Sequence, residues 1–363
     1  MASAIPLLTE FGQSPWYDNL TRALATGGLD ELIRVHGIRG VTSNPTIFEK
    51  AMAAGSDYDA QLREVSAGGA STESAYWELV LTDIAHAADR LRPTYDSLNG
   101  ADGFVSVEVS PNLAHDTDAT VAQAKEFWDR LQRPNVMIKI PATPAGLPAI
   151  TETLAAGINV NVTLIFALER YREVIHAFLA GLEQRQQGGN DVSSLASVAS
   201  FFVSRVDTET DRRLPEGSPL RGKAAVANAK LAYQLFLEER AGERWKAIEA
   251  AGARPQRPLW ASTSTKNPAY SPTLYVDHLI GRDTVNTLAQ ASVDVLGLGD
   301  ADLEENSIMR DVDGARQAMA DLAAAGVDID DVTATLEREG VDAFAKSFND
   351  ALATLEKKAG ELR

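Results

Sequence analysis

Short apolar or alternating runs recur along the chain, separated by longer stretches of helical period, and that rhythm predicts a parallel sheet wrapped by helices. The runs SPWYD (14–18), IRGVTSN (38–44), GFVSVEV (103–109), NVMIKI (135–140), GINVNVTLIF (157–166), SVASFFV (197–203), RPLWAS (257–262) and DTVNTL (283–288) read as eight strands. Helices are expected between them over 20–35, 72–91, 118–132, 145–155, 167–183 and 222–240. Eight strands with intervening helices predict an α/β fold, a (β/α)8 TIM barrel, with a doubly wound open sheet as the alternative. The last stretch, 310–363, contains helix without a convincing strand. There Val341, Phe344, Phe348, Leu352 and Leu355 step by 3, 4, 4 and 3 onto one face. The chain thus reads as one barrel domain over 1–363 with a C-terminal helical extension packed on it. No repeat of fixed period is visible, and EQRQQGGND (183–191) reads as an exposed loop.

Parallel strands covered on both faces should be nearly continuous in Val, Ile and Leu. Three of these strands are not. Side chains alternate along a strand, so Phe104, Ser106 and Glu108 share one face of the third strand, Met137 and Lys139 one face of the fourth, and Asn159, Asn161 and Thr163 one face of the fifth. The β-branched faces opposite suit packing against helices, which sends the polar faces into the barrel. Polar groups reach the C-terminal part of each strand, the end at which barrel enzymes build their sites. Thr42 and Asn44 in GVTSNPT and Asp18 in WYDN end their own strands and point to the same place.

Each residue also has a plainer reading. An inward Asn or Thr is more often a satisfied structural hydrogen bonder, and Lys139 by itself could equally be a buried ion pair with Glu108 or a nucleophile. Convergence favours chemistry, because interiors tolerate few charges without a use for them. A buried lysine beside a carboxylate can attack a ketone or aldehyde to form a Schiff base, a reaction that needs neither metal nor cofactor.

Composition narrows the field. The 363 residues carry 34 Lys and Arg against 51 Asp and Glu, a formal charge of −17. Such a surface repels phosphate backbones and anionic membrane faces, so neither nucleic acid nor membrane is expected as a partner. There is no cysteine, which removes disulfides, thiolate nucleophiles and Cys-ligated metals. Five histidines, at 36, 86, 115, 176 and 278, lack zinc-ligand spacing, and no metal site is expected. The run GSPLRGK (217–223) has P-loop spacing, but Ala224 stands where Ser or Thr would bind Mg2+ and no strand precedes it, so it reads as a loop leading into a helix. No G-x-G-x-x-G and no stretch of 18 apolar residues occurs, and the N-terminus lacks a basic segment followed by an apolar one. A soluble cytoplasmic protein is expected. A homo-oligomer is compatible with the sequence.

The segments GVTSNPTIFEKA, VSVEVSP, NVMIKIPAT, GINVNVTLIF and WASTSTKNP, in this order and at these spacings, resemble the motifs of the transaldolase family, in its longer bacterial form with an extended C-terminal helix. The resemblance covers nearly the whole chain. It implies a class I aldolase-type barrel in which Lys139 forms a Schiff base with a ketose phosphate, fructose 6-phosphate or sedoheptulose 7-phosphate. A dihydroxyacetone unit then passes to erythrose 4-phosphate or glyceraldehyde 3-phosphate, in the non-oxidative pentose phosphate pathway. Carried onto this sequence, the resemblance makes Asp18 the acid and base at the C4 hydroxyl. It makes Glu108 and Thr163 the holders of a water for carbinolamine dehydration, and Asn44 and Asn161 the partners of the dihydroxyacetone hydroxyls. Ser200 and Phe202 become lining residues, and Arg205 a phosphate-binding arginine. Many members place a second arginine after the seventh strand. This chain offers STSTK, so Ser264 and Lys266 take that place, lysine serving as a point charge without arginine's bidentate contact.

Two alternatives stand beside this reading. A fructose 6-phosphate aldolase would share fold and lysine but release free dihydroxyacetone; that family is similar but carries glutamine and tyrosine where this chain has Glu108 and Phe202. A non-catalytic sugar-phosphate binding barrel would have no need for Lys139, Glu108 and Asp18 together.

Overall fold

Eight parallel strands close into a barrel in sequence order: β1 (Gln13–Asp18), β2 (Gly40–Thr42), β3 (Phe104–Glu108), β4 (Val136–Pro141), β5 (Val160–Ile165), β6 (Ser197–Phe202), β7 (Arg257–Ala261) and β8 (Thr284–Leu288), with β8 pairing back onto β1. This is a computed structural model, and it describes residues 3–299, 301 and 303–362. Residues 1, 2, 300, 302 and 363, which fall within the expected domain span, lie outside the described residues. The closed barrel replaces the open-sheet alternative.

The helices are α1 (Ile5–Glu10), α2 (Leu29–His36), α3 (Pro45–Ala53), α4 (Asp59–Ala67), α5 (Thr72–Ser97), α6 (Thr117–Leu131), α7 (Gly146–Ala155), α8 (Leu168–Gln187), α9 (Ser204–Arg213), α10 (Ala224–Ala241), α11 (Glu243–Glu249), α12 (Leu274–His278), α13 (Gln290–Gly297), α14 (Val312–Ala324) and α15 (Ile329–Glu361). Their starts follow local chemistry. Ser71, Asp116 and Asp328 accept backbone N–H bonds at the caps of α5, α6 and α15, and Asn44 does so for α3 with Pro45 in its first turn.

Several boundaries depart from the sequence reading: residues 183–187, expected in an exposed loop, continue α8 to Gln187, and three more departures have identifiable reasons. The expected helix 20–35 begins instead as a π-helical turn over Leu24–Gly28, with Gly27 leaving helical geometry, before α2. Strand β2 is three residues long because Asn44 is taken up by the α3 cap and Pro45 has no N–H to give a ladder. Helix α5 runs through Pro93 to Ser97, since its last turn is held on β3: Tyr95 meets Phe104 edge to face at 5.5 Å, and a Cβ on Gly103 would lie 2.7 Å from the Tyr95 Cα.

The barrel interior is polar along β3 to β6. Asn161 Nδ2 donates to Ser106 Oγ at 3.0 Å and Ser200 Oγ donates to Asn161 Oδ1 at 2.7 Å, joining three strands. Because β3 and β5 are not neighbours, that contact passes through the interior. At the N-terminal end the interior is sealed. Trp16 fills it, Gly40 leaves room for the indole because any Cβ there would overlap the ring, and buried Asp102 accepts from Ser14 Oγ, Trp16 Nε1 and the Arg257 guanidinium. The C-terminal end stays open. Across it lies α15, packed against α3, α5 and α9, with Phe344, Phe348 and Leu355 buried.

Candidate active site

Lys139 sits mid-barrel on β4, only 5% exposed, with its registered neighbours Glu108 on β3 and Asn161 on β5 beside it. Its Nζ donates to the Ser43 carbonyl at 3.0 Å and lies 3.3 Å from Glu108 Oε2. That second approach is close enough for an ion pair, yet Oε2 has no hydrogen-bond partner of good geometry among the described residues. Burial pushes the Glu108 carboxyl above the usual carboxylate range, and the opposing pull of Lys139 does not cancel it. Both the ion-pair and the nucleophile reading of Lys139 therefore meet in one geometry: a paired amine facing a pocket.

The pocket holds about 70 Å3 of water-accessible space and is lined from several strands, including Asp18, Asn44, Lys139, Thr163, Ser200 and Phe202. Asp18, at the end of β1, accepts from Thr42 Oγ1 at 2.8 Å across its registered pair on β2. Asn44 Oδ1 is committed to the Ile47 N–H, which leaves the amide NH2 for the pocket. Thr163 Oγ1 is buried without a hydrogen-bond partner among the described residues, like Glu108 Oε2. Two orphaned polar atoms beside an amine suit a small polar guest, since leaving them unmet costs on the order of 1–3 kcal/mol each. Asn161 and Glu108 do not line the pocket; they flank Lys139 on the neighbouring strands.

The fifth strand ends in a bulge. Pairing with β6 shifts between Val162 and Ile165, and Leu164 adopts a left-handed φ of 59°, a conformation costly for a leucine. The straight alternation expected for 157–166 therefore stops at Thr163, and Leu164 turns to the mouth, where Gly340 of α15 packs so close that a Cβ would lie 2.9 Å from Leu164 Cδ2.

At the outer rim, the Arg205 guanidinium stacks over Phe202 at 5.1 Å and Phe344 at 6.0 Å. It makes no hydrogen bond or ion pair among the described residues. Burial pulls its pKa down while Asp18 and Glu108 pull it up. A half-buried, unpaired guanidinium held between aromatic rings is a ready partner for an anion. Lys266 Nζ bonds Ser264 Oγ at 2.9 Å and feels Arg205, which together with burial depresses its pKa.

Neither Ser264 nor Lys266 lines the central pocket; Lys266 instead borders an adjoining one. The serine that does line it is Ser262, at the end of β7 with a φ of 57° and its hydroxyl 2.9 Å from that of Ser204. The sequence held a signal for it, because the seventh expected strand ended on that serine. Phe344 had none, since nothing in a helical stripe says which ring reaches a distant pocket.

Among the described residues no group of three or more His, Cys, Asp or Glu is arranged to hold a metal ion, and no helix is long and apolar enough to cross a membrane. The arrangement offers a buried amine, a carboxyl beside it, a second carboxylate across the pocket and a cation at the rim.

Known proteins share this chain's sequence over nearly its full length. A family model described as Transaldolase/Fructose-6-phosphate aldolase matches residues 15–355. A protein of Saccharopolyspora erythraea named Transaldolase is 51% identical over 365 residues, covering 99% of both chains. Proteins of the same name from Thermobifida fusca and Frankia alni are 51% and 49% identical, covering 97% and 99% of this chain and 97% and 98% of their own.

Proposed function

We propose that the chain, which belongs to the transaldolase/fructose-6-phosphate aldolase family, is a transaldolase that moves a dihydroxyacetone unit between sugar phosphates through a Schiff base on Lys139. The observation that carries this reading is the buried Lys139 amine, 3.3 Å from Glu108 and open to a pocket that also holds Asp18.

The neutral amine adds to the C2 ketone of the donor, and the resulting carbinolamine loses its hydroxyl as water. Glu108, whose carboxyl burial holds above the usual range, and Thr163 hold and activate the water through which protons move in that step. Asp18 then takes the C4 hydroxyl proton, the C3–C4 bond breaks, and its electron pair moves into the protonated imine to give an enamine. The aldose phosphate leaves. An acceptor aldehyde is attacked by the enamine carbon, Asp18 returns its proton to the new hydroxyl, and water releases the product ketose. Asn44 donates to the dihydroxyacetone hydroxyls, while Asn161, held by Ser106 and Ser200, fixes the floor on which they rest. Arg205 and Lys266 take the phosphate. Enamine survival requires that water be kept out before an acceptor arrives, and Phe202 and Phe344 wall the mouth for that purpose.

Incubation with fructose 6-phosphate, borohydride reduction and mass analysis of the peptide containing Lys139 tests the reading. A reduced adduct on Lys139 is expected, and an unmodified lysine rejects it. Turnover should depend on an added acceptor. Full-rate release of free dihydroxyacetone without one would instead make the chain an aldolase.

A further inference from the structure

Beside Glu209, which pairs with Arg212 and Arg213, helix α9 carries two further buried carboxylates that the reaction does not use, Asp207 and Asp211, one turn apart. Each is satisfied in the same way. Asp207 accepts the Ala225 N–H at 2.8 Å and the Tyr275 hydroxyl at 2.9 Å; Asp211 accepts the Gly222 N–H at 2.9 Å and the Tyr270 hydroxyl at 2.5 Å. One oxygen of each holds the approach to α10, and the other holds the connection between β7 and β8. Gly222 is shaped to this contact, since a Cβ on it would lie 2.8 Å from the Tyr270 ring.

The same helix begins with Ser204 and Arg205. Ser204 meets the other end of the connection, its N–H donating to the Ser262 carbonyl at 3.1 Å and its hydroxyl meeting that of Ser262 at 2.9 Å. Between those two anchors stands Lys266, followed by a turn in which the Tyr270 N–H donates to the Asn267 carbonyl at 3.1 Å. Arg205 and Asp211 stand six positions apart on the helix, about 9 Å along the axis. One rigid element therefore fixes both the guanidinium and the segment that carries the amine.

We propose that Asp211 and Tyr270 are positioning residues for phosphate recognition, clamping the β7–β8 connection on α9 so that Arg205 and Lys266 act together on one dianionic phosphoryl group. This rests on the transaldolase reading for the identity of the ligand. The physical need is clear: burial and the like charge of Arg205 both depress the affinity of Lys266 for its proton, so a flexible lysine would swing away into solvent unless its segment were tied down. Binding energy gained from a prepositioned pair is not spent on ordering the loop.

Tyr270→Phe removes only the hydroxyl and keeps the ring on Gly222. The KM for fructose 6-phosphate should rise about tenfold, as loss of a hydrogen bond to a charged group predicts, with kcat changed less than about twofold. Borohydride labelling of Lys139 with dihydroxyacetone, which has no phosphate, should proceed at the wild-type rate. Tyr275→Phe, tested in parallel, should move the same KM in the same direction. The inference is overturned if labelled, active Tyr270→Phe enzyme keeps the wild-type KM, or if labelling by dihydroxyacetone falls in the same proportion as phosphate recognition, the signature of a merely structural role. Failure of the wild-type enzyme to label at Lys139 with either sugar is a separate result, and it overturns the transaldolase reading on which the inference stands.

Discussion

At the scale of single residues, burial decides the chemistry more than sequence neighbours do. Glu108 and Asp207 show this from opposite sides. Glu108 is raised by burial beside a lysine in the pocket, whereas Asp207 is raised to about 6 by burial with no cation bonded to it. The groups facing Asp207 are the amides of Ala224 and Ala225, the Tyr275 hydroxyl and Asp211, with Lys266, Arg212 and Arg221 along the same pocket. An aspartate raised from 3.8 to about 6 binds its proton more tightly folded than unfolded. It therefore adds stability that is complete below about pH 4 and is lost as the pH rises to about 6, on the order of 3 kcal/mol in all. In Asp207→Asn the amide can accept from Ala225 and donate to the Tyr275 oxygen. Urea titrations from pH 4 to 7 should show the wild type losing stability relative to this variant across that window, and parallel curves would refute the assignment.

Elements were legible where their local signals agreed with their tertiary use. All eight strands were visible as runs, and the stripe of the tail appears on α15 with Val341, Phe344, Phe348 and Leu355 buried and Leu352 half-buried. Helix α9 was not, because SRVDTETDRR has too few apolar residues for a period to show, and its buried carboxylates are satisfied by distant partners. Helix α5 outran its proline for the same kind of reason. The weight that α15 bears can be measured. Phe348 is fully buried against Tyr76 at 5.0 Å and Trp77 at 5.5 Å, so Phe348→Ala should cost about 3–5 kcal/mol in denaturant unfolding. A loss under about 1 kcal/mol would mean that α15 rests loosely on the barrel.

Across the whole molecule the two ends of the barrel do different work. The N-terminal end is closed by Trp16, Asp102 and Arg257 and belongs to stability, while the C-terminal end gathers the pocket, as the architecture dictates. Gly40→Ala tests the division. Its methyl would overlap the Trp16 indole, so the melting temperature should fall by an amount worth about 1–3 kcal/mol or more. Labelling of Lys139 per folded molecule should not change, because the overlap lies at the opposite end; an unchanged melting temperature would show that the interior yields. The charge of −17 belongs to this scale as well. In the proposed reading Arg205 and Lys266 draw a phosphate against that field, which short-range attraction in a half-buried rim permits because it is screened less than distant repulsion.

The sequence by itself determined what depends on local period: the strands, the tail stripe, and the inward polar faces that carry Ser106, Glu108, Lys139, Asn161 and Thr163. Alternation along a strand is a property of the backbone, and it needs no partner to be read. Tertiary structure alone decided what depends on closure. It set Glu108 beside Lys139, gave the Ser43 carbonyl to the amine, broke the alternation of its strand at Leu164, put Ser262 in the pocket, and brought Phe344 from the tail to the mouth. Those are contacts between residues far apart in the chain, and no local pattern encodes the distance between them.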